Sequence, residues 1–220
     1  MQFERDGAVH FAAALDRSDL QTVETILAEA PVDKAGVRLS GVSRLNSILA
    51  PASPIGRVVA SVLGEKAKPV RAVLFNKTPV TNWKLGWHQD RTIVVKGRVD
   101  ADGFGPWSRK DGLQHVAPPF DLLEAMVTLR VHLDPVGPDN GPLLIAPGSH
   151  RLGRIPVGRI DEVAADCGTY ACLAEAGDVW MYSTPIVHAS DAAANPKRRR
   201  VLQVDYAAFD LPGGLDWLGV

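Results

Sequence analysis

Apolar residues recur at two intervals along the chain, and the change of interval falls near Pro69. Before it the spacing is helical. Phe11, Ala14 and Leu15 recur three and four apart, as do Leu20, Val23, Ile26 and Leu27. The stretch 3–30 therefore reads as helix, with Ser18 a candidate N-cap and Pro31 its end. Apolar clusters around 43–49 and 54–63 predict two further short helices. Beyond Pro69, short β-rich runs alternate with Gly, Pro, Asn and Asp. The predicted strands are 70–76, 84–90, 126–133, 142–146, 171–173, 178–182, 186–188 and 200–207. Short strands joined by turns predict a sandwich or jelly roll rather than βαβ units. The chain reads as a single domain, 1–220, with a helical part over 1–68 and a β core over 69–208. Residues 91–123 form a long Gly- and Pro-containing insertion in that core, the texture of a lid-like loop.

Composition narrows the class. The chain has 220 residues, 46% hydrophobic and 22% charged, with a formal net charge of -1. That balance is expected of a globular domain and offers no broad electrostatic footprint for nucleic acid or an anionic membrane. No run approaches the roughly 18 to 20 apolar residues that span a bilayer. The N-terminus carries Glu4, Arg5 and Asp6 and does not read as a secretory signal. Cys167 and Cys172 lack a second pair at zinc-site spacing and read as plain thiols, which favours a cytoplasmic setting.

The chemistry concentrates in two segments. In GWHQD, His88 and Asp90 are two apart, and on a strand such residues project from one face. A histidine from a neighbouring strand would complete two nitrogens and one oxygen on one side of a metal, leaving the opposite positions open, as in non-haem Fe(II) oxygenases. His188 supplies a candidate, on a short apolar run in GDVWMYSTPIVHAS. Downstream lie Arg198, Arg199 and Arg200, leading into an apolar strand. A buried cation there would need an anionic partner, and a dicarboxylate suits an Arg fork. At least two of the three arginines read as a solvated turn.

Four features together resemble the phytanoyl-CoA dioxygenase family of Fe(II)/2-oxoglutarate oxygenases. They are WHQD, NGPLLIAPGSH over 140–150, GDVWMY over 177–182, and HAS followed by Arg199 eleven residues after His188. The resemblance covers roughly residues 69–208 and implies a double-stranded β-helix, the cupin-like jelly roll, with flanking N-terminal helices. It implies Fe(II) held by His88, Asp90 and His188, with 2-oxoglutarate and O2 as co-substrates. Arg199 would pair with the far carboxylate of 2-oxoglutarate, and Ser190 would donate a hydrogen bond to it. A carboxylate at position 90, where related halogenases have a small residue, implies hydroxylation or another oxidation. A small-molecule substrate would be hydroxylated, with release of succinate and CO2.

Other residues are less constrained. By strand parity Arg71, Val73, Phe75 and Lys77 share a side, and Lys77 can reach a carboxylate of co-substrate or substrate. Asn82 shares parity with His88 and is a candidate for the pocket mouth. Trp107, in the insertion, is a candidate to close over substrate. His132 and His115 read as structural or surface residues, and His150 as part of a turn. The insertion holds more basic than acidic residues and points to an anionic small molecule. The expected partners are that substrate, neither nucleic acid nor membrane, and a monomeric or homodimeric state. Two rivals stand beside the oxygenase: a cupin-like metal-binding protein without oxygenase activity, and a peptide or protein hydroxylase. Family likeness does not choose the substrate.

Overall fold

A computed structural model describes residues 1–31 and 33–220. The chain begins with α1 (Phe3–Asp6) and β1 (Ala8–Phe11), then α2 (Arg17–Leu27), β2 (Gly36–Leu39), α3 (Ser43–Leu49) and α4 (Pro54–Leu63). There follow β3 (Lys68–Lys77), β4 (Leu85–His88), β5 (Ile93–Val95), β6 (Trp107–Lys110) and β7 (Leu113–Val116). After α5 (Phe120–Glu124) come β8 (Val127–His132), β9 (Leu143–Ile145), α6 (Ile160–Cys167) and β10 (Tyr170–Cys172). The last elements are β11 (Val179–Ser183), β12 (His188–Ser190) and β13 (Arg199–Ala207).

The strands form a jelly roll of two facing antiparallel sheets. The larger has the order β1-β11-β8-β13-β3-β2, the smaller β10-β9-β12-β4. Alternation along β13 shows how they share the core. Leu202, Val204 and Tyr206 point outward and pack with Leu45, Leu49, Ile55 and Val59 of the helices. Arg199, Gln203 and Asp205 have the opposite parity and are also buried. The helices α2, α3 and α4 thus seal the outer face of the large sheet. Its inner face is left to carry polar groups into the barrel.

The first thirty residues are not one helix. Gly7 takes the left-handed conformation (φ 77) and ends α1 after four residues. β1 then pairs with β11 at the sheet edge. A period of two is hidden in that stretch: Ala8 faces the barrel cluster with Trp180, whereas Val9 and Phe11 pack toward the helices. The N-cap of α2 is Asp16, two residues before Ser18. Its side chain accepts from the Asp19 amide (2.8 Å), and Asp19 reciprocates from the Asp16 amide (3.2 Å).

The insertion 91–123 is also not an open loop. It forms a third sheet, β5-β7-β6. Asp111 and Gly112 turn β6 into β7, both at positive φ (49 and 79), as a two-residue hairpin loop requires. Ile93, Val95, Val116 and Leu123 pack with Leu215 and Trp217 of the C-terminal segment, so this sheet has its own small core.

Candidate metal centre

His88 ends β4 and His188 begins β12, and the two face each other as cross-strand partners. Their ring centroids are 4.1 Å apart. Nitrogen atoms of both rings and a carboxylate oxygen of Asp90 lie within 4.8 Å of one another. Each Nδ1–H donates to the carbonyl two residues earlier: His88 to Gly86 (2.8 Å) and His188 to Ile186 (2.9 Å). These bonds fix the tautomer that leaves both Nε2 lone pairs free, as ligating histidines require. Burial pushes the His188 imidazole down to about 4, with His88 acting in the same direction, so it is neutral at physiological pH. Two imidazoles and one carboxylate on one side of a shared point form a donor set that fits divalent iron.

Gln89, between the two candidate ligands, points away from them. Its Nε2 donates to the carbonyls of Gly153 (3.0 Å) and Pro185 (2.9 Å), and its Oε1 accepts from the Ile155 amide (3.0 Å). The side chain therefore anchors the strand end from which His88 and Asp90 project. Arg71, on β3, lies 3.6 Å from Asp90 and is ion-paired at 2.6 Å with Asp205. Burial alone would raise the Asp90 carboxyl, but Arg71 and then the two imidazoles hold it below its usual value. Asp205 accepts in turn from Thr128 (3.0 Å).

At the other end of the same cavity sits Arg199, only 1% exposed. Its Nη1 donates to the Gly141 carbonyl, which also accepts from Ser190 Oγ (3.2 Å). No carboxylate pairs with Arg199 among the described residues, and its Nε has no partner. Burial, reinforced by Arg130, pushes its guanidinium down to about 9. Lys77 lies opposite Arg199 on β3 and is fully buried. Its Nζ donates to the Asp191 carbonyl (2.7 Å) and is 4.7 Å from the Trp83 ring centroid. Burial, then Arg199 and Arg130, lower it to about 8. Two buried cations with no ion-paired carboxylate among the described residues make a receptor for an anion.

The sequence profile of the phytanoyl-CoA dioxygenase family matches residues 3–201. The chain belongs to that family. It is accordingly a 2-oxoglutarate-dependent oxygenase that uses Fe(II) and O2. HygX from Streptomyces hygroscopicus, solved with nickel and 2-oxoglutarate bound, has the same fold. It has a TM-score of 0.63 and 16% identity, covering 93% of this chain and 84% of HygX. EctD from S. alaskensis, in its apoform, gives 0.68 and 19%, covering 99% and 78%. SnoN, a non-heme alpha-ketoglutarate-dependent epimerase from nogalamycin biosynthesis, gives 0.61 and 18%, covering 96% and 87%. No curated protein sequence matches the chain.

The family motif NGPL…PGSH has a physical reading here. Gly141 has φ +59, and a Cβ there would lie 2.7 Å from the Asp191 carbonyl oxygen and 2.9 Å from Lys77 Nζ. Glycine lets the backbone come close enough for its carbonyl to hold Arg199 and Ser190. Ser149 Oγ accepts from the Val187 amide (2.9 Å), fixing the residue before His188. Of the three consecutive arginines, only Arg199 turns inward. Arg200 pairs with Asp134 (2.9 Å) and Glu24 (2.6 Å), and the exposed Arg198 pairs with Asp134 (3.3 Å).

Asn82 and Trp107 lie away from this cavity's wall. Asn82 clamps Ala193 by both backbone groups, accepting from N (2.7 Å) and donating to O (3.0 Å). Trp107, on β6, packs into the core of the third sheet under Arg98. His132 and His115 are both buried rather than at the surface, and burial lowers them to about 3 and about 4. Sequence reasoning assigned no role to Arg38, Arg71, Arg130 or Gln203, all of which line the cavity. The signal for the last three was their position on strands whose other face is continuously apolar.

Proposed function

We propose that this protein hydroxylates a small-molecule substrate, converting 2-oxoglutarate and O2 to succinate and CO2. His88, Asp90 and His188 hold the iron, and Arg199 receives the far carboxylate of 2-oxoglutarate. The observation that carries this is the buried Arg199, with no carboxylate partner among the described residues, in the wall of the cavity that holds the triad. Bound iron supplies the oxidising chemistry, which no side chain of the triad can provide.

The chain's own residues hold and orient. Gly86 and Ile186 present the two Nε2 atoms, and Arg71 fixes the Asp90 carboxylate between cation and imidazoles. Gly141 aims the Arg199 fork, whose two-point grip sets the direction of the co-substrate. Ser190 stands ready to exchange its bond to Gly141 for one to that co-substrate, and Lys77 adds positive charge behind it. Leu143, Phe75 and Trp83 supply apolar wall that limits water. HygX has been solved with hygromycin B bound, and this supports a small molecule over a peptide.

The test is Arg199→Ala. Loss of a buried charge-assisted fork is expected to weaken 2-oxoglutarate by about ten- to hundredfold or more. Affinity of the triad for Mn(II) should hold. Unchanged conversion of 2-oxoglutarate to succinate by Arg199→Ala would remove the co-substrate assignment and favour the non-oxygenase cupin-like alternative.

A further inference from the structure

The cavity is more cationic than 2-oxoglutarate needs. Of the described residues that line it, four are arginines (Arg38, Arg71, Arg130 and Arg199) and one, Asp90, is a carboxylate. Asp205 backs Arg71, and the 2-oxoglutarate proposed above would offset Arg199. A divalent metal adds more positive charge. Arg130 is held by the neutral Gln203 (2.8 Å).

Arg38 stands apart from the rest. It comes from β2, at the edge of the large sheet, and its side chain is 29% exposed. Its carboxylate partner is Asp111, from the tip of the β6–β7 hairpin and 66% exposed. Gly36 and Arg38 line both the triad cavity and an adjoining hollow bordered by Lys34, Ser40 and Asp111. Arg38 thus stands where the cavity meets its outer hollow. An ion pair between a half-buried arginine and an exposed hairpin-tip carboxylate holds this hairpin only weakly. A ligand anion can therefore replace Asp111 at little cost.

We propose that the substrate is a small organic anion and that its carboxylate or phosphate is bound by Arg38, displacing Asp111. This rests on the reading of the triad as the site of oxidation. Arg38 is then a specificity-determining residue, and Asp111 an internal stand-in for the substrate's charge. An arginine fork matches either oxyanion, which is why the chemistry is given as both.

The test uses the 220-residue chain loaded with Mn(II) and 2-oxoglutarate, so that Arg199 is filled. Inorganic phosphate and, separately, acetate are titrated by calorimetry into wild type, Arg38→Gln, Arg38→Lys and Asp111→Asn. At least one anion should bind wild type, and the stronger of the two identifies the source of the charge. Arg38→Gln is expected to weaken that anion about tenfold or more, the loss of one charge-assisted pair. Arg38→Lys should fall between Gln and wild type, and it carries the test if the Gln variant does not fold. Asp111→Asn should tighten binding about two- to fivefold, because the internal competitor is gone.

A plain hairpin latch predicts the opposite sign for Asp111→Asn, or no change. That result, equal binding by Arg38→Gln and wild type, or no binding of either anion by wild type would overturn the proposal. Titrating 2-oxoglutarate into the same proteins separates the two readings. If wild type takes up no 2-oxoglutarate, the oxidation site has been misread. If uptake is normal and the anion responses are flat, only Arg38 has been misread.

Discussion

Replacing Gly141 with Ala perturbs co-substrate binding without removing a single candidate contact atom. Gly141 has φ +59, a region that costs an L residue about 1–2 kcal/mol. The new Cβ would lie 2.7 Å from the Asp191 carbonyl oxygen, 2.9 Å from Lys77 Nζ and 3.3 Å from the Ala193 amide. Two of those neighbours are backbone, so the loop must shift, and overpacking of this kind costs about 1–3 kcal/mol more. The fold should survive with a lowered melting temperature. The Gly141 carbonyl, however, is the acceptor for both Arg199 and Ser190. Displacing it misaligns the guanidinium, and one misdirected charge-assisted bond corresponds to about ten- to hundredfold in 2-oxoglutarate affinity. The assay is a titration of 2-oxoglutarate into Mn(II)-loaded protein, followed by the fluorescence of Trp83, whose ring centroid is 5.8 Å from Arg199 Cζ. Manganese affinity should stay within about threefold, since the candidate ligands are set by Gly86, Ile186 and Gln89. A lower melting temperature with unchanged 2-oxoglutarate affinity would refute the idea that this carbonyl aims Arg199.

Gln89→Ala removes four hydrogen bonds behind the triad, two of them fully buried; it should cost about 1–3 kcal/mol in denaturant unfolding and weaken Mn(II) about tenfold. Mn(II) bound as tightly as in wild type would show that the strand end holds itself. His132 supplies an acid-sensitive element. Its folded value is depressed to about 3 by burial, then by Arg130, so the unfolded chain takes up the proton first and stability falls as pH drops below about 6.5. By pH 5 the loss is about 2 kcal/mol relative to pH 8. Unfolding curves of His132→Leu at the two pH values should lie closer together by that amount, and an unchanged gap would count against a neutral buried imidazole.

Most of the triad was legible because it depends on local geometry. The i, i+2 spacing of His88 and Asp90 needs only a strand end, and their parity survives a shift in the strand boundary. The helices α3 and α4 were also legible, since a Pro at the start of α4 and a serine cap before it mark the boundary. β1 was not. Its four residues carry period-two and helical spacing at once, and pairing with β11 decides between them. The third sheet was misread as a lid-like loop for a related reason. Its strands are only three or four residues long, although Asp111–Gly112 between flanking strand residues was an available hairpin signal.

The cavity wall was the least visible part, and β13 shows why. In RRVLQVDYA the alternate apolar residues Leu202, Val204 and Tyr206 lie against helices, a pattern that normally marks the intervening polar positions as solvent-facing. In a jelly roll the second face is also buried, so Arg199, Gln203 and Asp205 become barrel interior. Their polarity then reflects what the barrel must hold. β3 behaves the same way, with Ala72 and Leu74 toward the helices, Lys77 buried inside and Arg71 in the cavity wall. Alternation that looks like an exposed sheet is, once a second sheet covers it, a map of the binding site. Arg71 facing Asp205 across these two strands is the plainest case: a cross-strand ion pair that would be worth little at a surface becomes, in the half-buried cavity wall beside Asp90, part of the charge that keeps a candidate ligand ionised.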